Sequence, residues 1–204
     1  MFGKDIVLSD RLFTVLEQSG RRRKFAVEKK PFVTKEQLEE ITKTYPTPFH
    51  LYDEKGIREN ARQLKEAFSW NKGYKEYFAV KATPNPFILN ILKEYGCGTD
   101  CSSMTELMMS KACGFSGNDI MFSSNDTPLE EFAYAAKLGA IINLDDITHI
   151  ECVEQTLGYI PETISCRFNP GGVFKISNDI MDNPGDSKYG MTTEQIFEAF
   201  KILK

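Results

Sequence analysis

Histidine, tryptophan and long apolar runs are what this sequence has least of. His50 and His149 are the only imidazoles and Trp70 the only tryptophan. The two histidines lie far apart in the chain, which suits core or surface places better than a shared catalytic pair. Cysteine is sparse and odd in number: Cys97, Cys101, Cys113, Cys152 and Cys166. Such usage fits reduced thiols in a cytoplasm rather than a disulfide framework. Cys97 and Cys101 have no second ligand pair at zinc-like spacing, so no metal site is expected. An excess of positive charge is also missing, with 25 Lys and Arg against 29 Asp and Glu. That balance gives no reason to expect a nucleic-acid partner. The basic run Arg21-Arg22-Arg23-Lys24 sits between apolar segments and reads as a solvated turn. No apolar run approaches membrane-spanning length, and the N-terminus lacks the apolar core of a signal peptide, so no membrane association is expected.

What the chain does have is regular alternation. Strand-like runs begin near Phe49, Glu76, Thr99, Asp119, Ala140 and Thr163. Amphipathic helices lie between them. The first carries Ile57, Ala61, Leu64 and Phe68 at helical spacing. The second opens with Asn85 and Pro86, a cap followed by a first-turn proline, and stops at Gly96. Ser103 and Glu106 form a capping box for the third, which ends at Gly114. A fourth opens around Thr127 and Pro128 and closes at Gly139. A fifth follows Asp145, and a last one starts near Thr193.

Before this array, residues up to about 33 keep a different pattern, with short strand pieces at Phe25-Ala26-Val27 and Phe32-Val33. Thr34 and Gln37 cap a helix that Pro46 and Pro48 terminate. The expected domains are therefore an N-terminal segment, 1–45, and a β/α array, 46–204.

Strands alternating with helices imply a parallel sheet with helical crossovers. An open doubly wound sheet would show a glycine-rich phosphate loop after its first strand, and Tyr52-Asp53-Glu54-Lys55-Gly56 shows none. The even pitch fits a β/α (TIM-type) barrel better. Eight units need about 250 residues, so the expectation is an α/β barrel truncated after about six of its eight β/α units.

In such barrels chemistry collects at the C-terminal ends of the strands. Those ends supply Lys81, then Asp100 with Glu106 one helical turn on, then Ser123-Ser124-Asn125, Asn143-Leu144-Asp145 and Arg167-Phe168-Asn169. Alternation puts Phe78 and Val80 on one face and Tyr77, Ala79 and Lys81 on the other. A lysine shielded there would have its charged form disfavoured, which favours attack on a carbonyl carbon. Each residue also has a plainer role. Lys81 can reach out to solvent from a strand end, Glu106 can serve only the helix start, and Asp100 can be satisfied by the helix that follows it.

Four segments together resemble the alanine-racemase-like barrel family of pyridoxal-phosphate decarboxylases. They are Phe78-Ala79-Val80-Lys81-Ala82, Gly96 to Ser103 with Thr105-Glu106-Leu107, Cys166-Arg167-Phe168-Asn169-Pro170-Gly171, and Asp186-Ser187-Lys188-Tyr189-Gly190. Within that family the last two look most like diaminopimelate decarboxylase, the last step of lysine synthesis. The resemblance implies pyridoxal 5'-phosphate as cofactor and an amino acid as substrate. It also implies a cytoplasmic homodimer. By resemblance Lys81 would form the internal aldimine, Asp100 would bias its protonation, Glu106 would be an outer partner of Lys81, and Arg167 would lie near the cofactor ring.

The same resemblance implies that residues 1–45 contribute to a second, β domain. It places several parts past Lys204: a ring-stacking histidine, later phosphate loops, a carboxylate facing the pyridine nitrogen, and a cysteine and tyrosine that complete a partner's site. The 204-residue chain alone is accordingly expected to have little or no decarboxylase activity. Other readings remain open on the residues alone. One is decarboxylation of ornithine, arginine or carboxynorspermidine, or racemisation of alanine. The other is a non-enzymatic cofactor carrier or an inactive relative.

Overall fold

The computed structural model describes residues 30–172 and 189–204. The segments Phe25-Ala26-Val27, Arg21–Lys24 and Asp186-Ser187-Lys188 lie outside the described residues. The chain divides into two units between Tyr52 and Asp53, and each is taken by itself.

In the first unit, α1 spans Lys35–Thr44. Its start is the capping box expected from sequence: Gln37 N donates to Thr34 Oγ1 at 3.2 Å, and Thr34 N donates to Gln37 Oε1 at 2.8 Å. Two expected strands do not form. Phe32 and Val33 make a bend, and Phe49–Tyr52 is irregular. A strand is held by its ladder, and short apolar composition alone does not create one. Phe32, Leu51 and Tyr52 are also exposed, so neither run gains the burial that would repay extending it.

The second unit is a five-stranded parallel sheet, not the six strands expected, in the order β1-β2-β3-β4-β5. The strands are β1 (Tyr77–Ala79), β2 (Gly98–Cys101), β3 (Ile120–Phe122), β4 (Ile141–Leu144) and β5 (Ile164–Cys166). The helices between and around them are α2 (Glu54–Ala67), α3 (Pro86–Glu94), α4 (Met104–Ala112), α5 (Leu129–Lys137), α6 (Thr148–Leu157) and α7 (Thr193–Ile202).

Helix starts follow local chemistry. Asp53 and Asn85 accept backbone N–H bonds from Gly56 and Phe87, each at 3.0 Å. Pro86 takes the first turn of α3, where its missing N–H costs nothing. The fourth helix, α5, opens where expected, with Pro128 as its cap residue and no side-chain cap bond.

Pairing aligns Phe78, Thr99 and Ile120 on one face, and Cys101, Phe122 and Ile142 one step further on. Thr99 and the apolar members of β2–β4 are buried there. Leu89, Leu107, Phe132, Ala135, Val153 and Ala199 complete that core from the helices. Phe122 and Phe132 meet edge to face at 6.1 Å. Truncating Leu107, which is fully buried, would cost about 2–5 kcal/mol on the scale of such cavities. Burial also pushes the Cys101 thiol up to about 11, against the opposing hydrogen bond with Ser110. Cys101 is thus a small core side chain, and all five cysteines are free thiols.

Gly98 opens β2 where no larger residue fits. A Cβ there would stand 2.5 Å from Asp119 O and 2.8 Å from the Tyr77 ring. The Tyr77 hydroxyl donates to Asn118 O at 2.6 Å, which keeps the ring over the glycine. Gly98→Ala should therefore lower stability by about 1–3 kcal/mol, seen as a lower midpoint in thermal unfolding by circular dichroism.

Candidate active site

The face opposite the helices is the chemically distinct one. Ala79, Asp100, Met121 and Ile141 align across it by register, and Asn143 pairs with Ser165. Two residues further along each strand come Ser123, Asp145 and Arg167, just past the strand ends. Polar groups thus gather at the C-terminal edge of this face, and they are tied across strands. Ser123 Oγ donates to Asp100 Oδ1 at 2.5 Å, and Ser165 Oγ donates to Asn143 Oδ1 at 2.8 Å. Arg167 Nη1 lies 2.5 Å from Asp145 Oδ1 in an ion pair. The Asp145 side chain is only 4% exposed and that of Arg167 is 38% exposed.

Asn143 is 7% exposed. Its Nδ2 is buried without an acceptor among the described residues, whereas buried donors ordinarily have one. On the neighbouring α6, burial holds the His149 imidazole below its ordinary range, while the nearby carboxylates of Asp146 and Asp145 oppose this. The backbone N–H and hydroxyl of Thr148 hold Asp146 below the usual carboxylate range.

Lys81 departs from expectation. Strand β1 ends at Ala79, and Val80–Ala82 forms a 3-10 turn. Val80 takes the buried place. The turn replaces two-residue alternation with a threefold step, so Lys81 is exposed rather than shielded. It forms no hydrogen bond or ion pair with the described residues, and the expected acidic neighbour does not contact it. Lys81 and Asp100 nonetheless stand at the C-terminal ends of adjacent strands, because Ala79 pairs with Asp100.

Glu106 is half-buried at the start of α4, as expected, but its carboxylate reaches one residue further back than a capping box requires. Ser102 N and Ser102 Oγ donate to Glu106 at 2.8 and 3.0 Å. The structure therefore ties Asp100 to Ser123, Arg167 to Asp145 and Glu106 to Ser102, and leaves Lys81 free of them among the described residues. Sequence reasoning does not single out Ser165, and it gives Asn143 and Asp145 no role. Their parity with Arg167 and Ile141 is the signal that places them on this face.

Among the described residues, no group of three or more His, Cys, Asp or Glu side chains is placed to hold a metal ion. No helix among them is long and apolar enough to cross a membrane.

Five parallel strands in sequential order, joined by helices, form an α/β domain with its polar groups at the C-terminal strand edge, where folds of this kind ordinarily meet ligands. Comparison with known proteins makes the class specific. The chain belongs to the pyridoxal-dependent decarboxylase family: the model for its pyridoxal binding domain matches residues 54–204.

Similar curated proteins include Protein TabA of Pseudomonas amygdali pv. tabaci, 40% identical over 164 residues. That match covers 80% of this chain and 38% of TabA. The diaminopimelate decarboxylase of Helicobacter pylori is 34% identical over 170 residues, covering 81% of this chain and 42% of that enzyme. The crystal structure of diaminopimelate decarboxylase from Helicobacter pylori complexed with L-lysine superposes with a TM-score of 0.72 at 31% identity. It is matched over 81% of this chain and 42% of its own length. This chain thus spans about two-fifths of the length of those relatives.

Removing the cation of the edge pair should be costly, because it strands a carboxylate away from water. Arg167→Met is expected to lose about 2–4 kcal/mol in urea unfolding, at the lower side of losses for fully buried pairs because Arg167 is partly solvated.

Proposed function

We propose that this chain carries the cofactor-lysine domain of a pyridoxal-phosphate-dependent amino-acid decarboxylase, with Lys81 as the residue that binds the cofactor covalently. Family membership over residues 54–204 is the observation that carries this reading. The position of Lys81, just past the first sheet strand at the polar edge, supports it.

The polar face suits the cofactor on its own terms. An exposed amine without an ion-pair partner among the described residues is accessible to an aldehyde. A buried amide donor on that face, Asn143 Nδ2, lacks an acceptor among the described residues, and Arg167 supplies fixed positive charge. When bound, pyridoxal phosphate supplies the electron sink that lets an amino acid lose carbon dioxide.

The protein's part is to hold and orient. Asp100, fixed by the Ser123 hydroxyl, presents a carboxylate on the strand next to the one that leads into Lys81, and would act on that lysine's nitrogen only if the side chain turned towards it. Arg167 would stand beside the ring of a cofactor bound on this face and offer it a planar guanidinium. Glu106 fixes the Ser102 turn that follows Asp100, and through it the direction of the Asp100 strand end. Access of water to Lys81 is governed by the occupant of the face, since the described protein groups leave it open.

The substrate favoured is meso-diaminopimelate, converted to lysine and carbon dioxide. The 34% identity with the Helicobacter pylori enzyme and the Arg-Phe-Asn-Pro segment at 167–170 support it. A second reading keeps the reaction and changes the amino acid, and it draws on the higher identity, 40%, with Protein TabA. In either case residues 1–45 belong with a second β domain, 46–204 form the front part of the barrel, and the working form is a cytoplasmic homodimer.

Mixing the purified chain with pyridoxal phosphate should produce a visible absorbance band that borohydride bleaches while making the linkage to the protein permanent, and Lys81→Ala should show no band. Peptide mapping after reduction should find the label on Lys81. A label on another lysine, or a band that survives in Lys81→Ala, would remove the proposal.

A further inference from the structure

Three separate interactions converge on Arg167. Its backbone is held as an extension of β5: Arg167 N donates to Leu144 O at 2.9 Å, and Met191 N donates to Arg167 O at 2.8 Å. Its stem lies against Gly190, where a Cβ would come within 3.0 Å of Arg167 Cγ and 3.2 Å of Asn169. Gly190 also has φ +84°, a conformation that side chains resist. The guanidinium meets Asp145, whose side chain is almost wholly withdrawn from water. A buried carboxylate is tolerable when paired and costly when not. Asp145 Oδ1 has no aligned hydrogen bond among the described residues, so attraction by charge is what draws Arg167 to it. Among the described residues His149 on α6 also lies near Asp145 and Asp146, and burial disfavours charge on its imidazole. Arg167 keeps more than a third of its side chain exposed, so the head held this way still faces any ligand on the polar edge.

We propose that Asp145 and Gly190 are positioning residues for Arg167, seating its guanidinium at a fixed place on the face where the cofactor binds. The inference rests on the reading of that face as the pyridoxal site. Asp145 acts on the head by charge, and Gly190 acts on the stem by leaving room. Without either restraint, the guanidinium can swing among rotamers, and both the affinity for the cofactor and the field at its ring change. Asp145 also offsets part of the positive charge that a ring beside Arg167 would feel.

The test is equilibrium titration of the full 204-residue chain with pyridoxal phosphate, reading the dissociation constant and the wavelength of the visible band at saturation. Circular dichroism melts run alongside. Asp145→Asn and Gly190→Ala should each weaken binding on the order of tenfold and move the band, as losses of outer partners do at other sites. In an Arg167→Gln background, Asp145→Asn should add less than about twofold and leave the band in place, because the two residues act as a unit.

An Asp145→Asn protein within about twofold of wild type with an unmoved band would overturn the inference. So would a loss of full size in the Arg167→Gln background. Should Asp145→Asn fail to fold, Gly190→Ala decides alone: binding within about twofold of wild type and an unmoved band would overturn the proposal. A wild-type chain without any band, or a band kept by Lys81→Ala, would instead bring down the pyridoxal reading beneath it.

Discussion

Register in the parallel ladder puts Ala79, Asp100, Met121 and Ile141 side by side, and Phe78, Thr99 and Ile120 side by side on the other surface. Everything else depends on that sorting. Helices cover the second surface and remove it from water. The first keeps its polar side chains at the C-terminal ends. A slip of one residue in any strand would send Cys101 or Phe122 to the polar face and Asp100 or Asn143 into the apolar core. Neither surface could then be satisfied. Fold and site are therefore set by the same constraint, and the hydrogen bonds joining Ser123 to Asp100 and Ser165 to Asn143 exist only in this register.

The parts of the structure legible in the sequence are those fixed by nearby residues. Thr34, Asp53, Asn85, Ser103 and Thr192 each cap a helix through their own side chains. That chemistry spans three residues or fewer. The strands at Tyr77, Ile120, Ile141 and Ile164 are also readable as apolar runs between helices, and Gly98–Cys101 by its place between two helix signals. The run at Phe49 has the same composition and forms no strand. A strand requires a partner, and no local pattern guarantees one.

The candidate site is less legible in its arrangement. The sequence draws attention to Asp100, Glu106 and Arg167, yet their partners Ser123, Ser102 and Asp145 come from pairing across strands and from turn geometry. Lys81 is the sharpest departure. Alternation would have tucked it against the sheet, but the chain leaves extended geometry at Val80, and the buried valine turns its neighbour outward. Shielding of a side chain depends on where a strand stops. Composition around Phe78 to Ala82 does not encode that point to the nearest residue.

The unequal burial of the Arg167–Asp145 pair has a further consequence for behaviour in salt. Mobile ions can gather around the partly open guanidinium but are kept from the carboxylate behind it. At physiological ionic strength charges in open solvent are damped within about 8 Å, while an enclosed pair is damped far less. The attraction on the carboxylate side therefore persists in salt, while the open side of the guanidinium is screened as a surface charge is. A dissolved anion meeting Arg167 finds one open flank and a fixed counter-charge on the other, and that counter-charge weakens its hold.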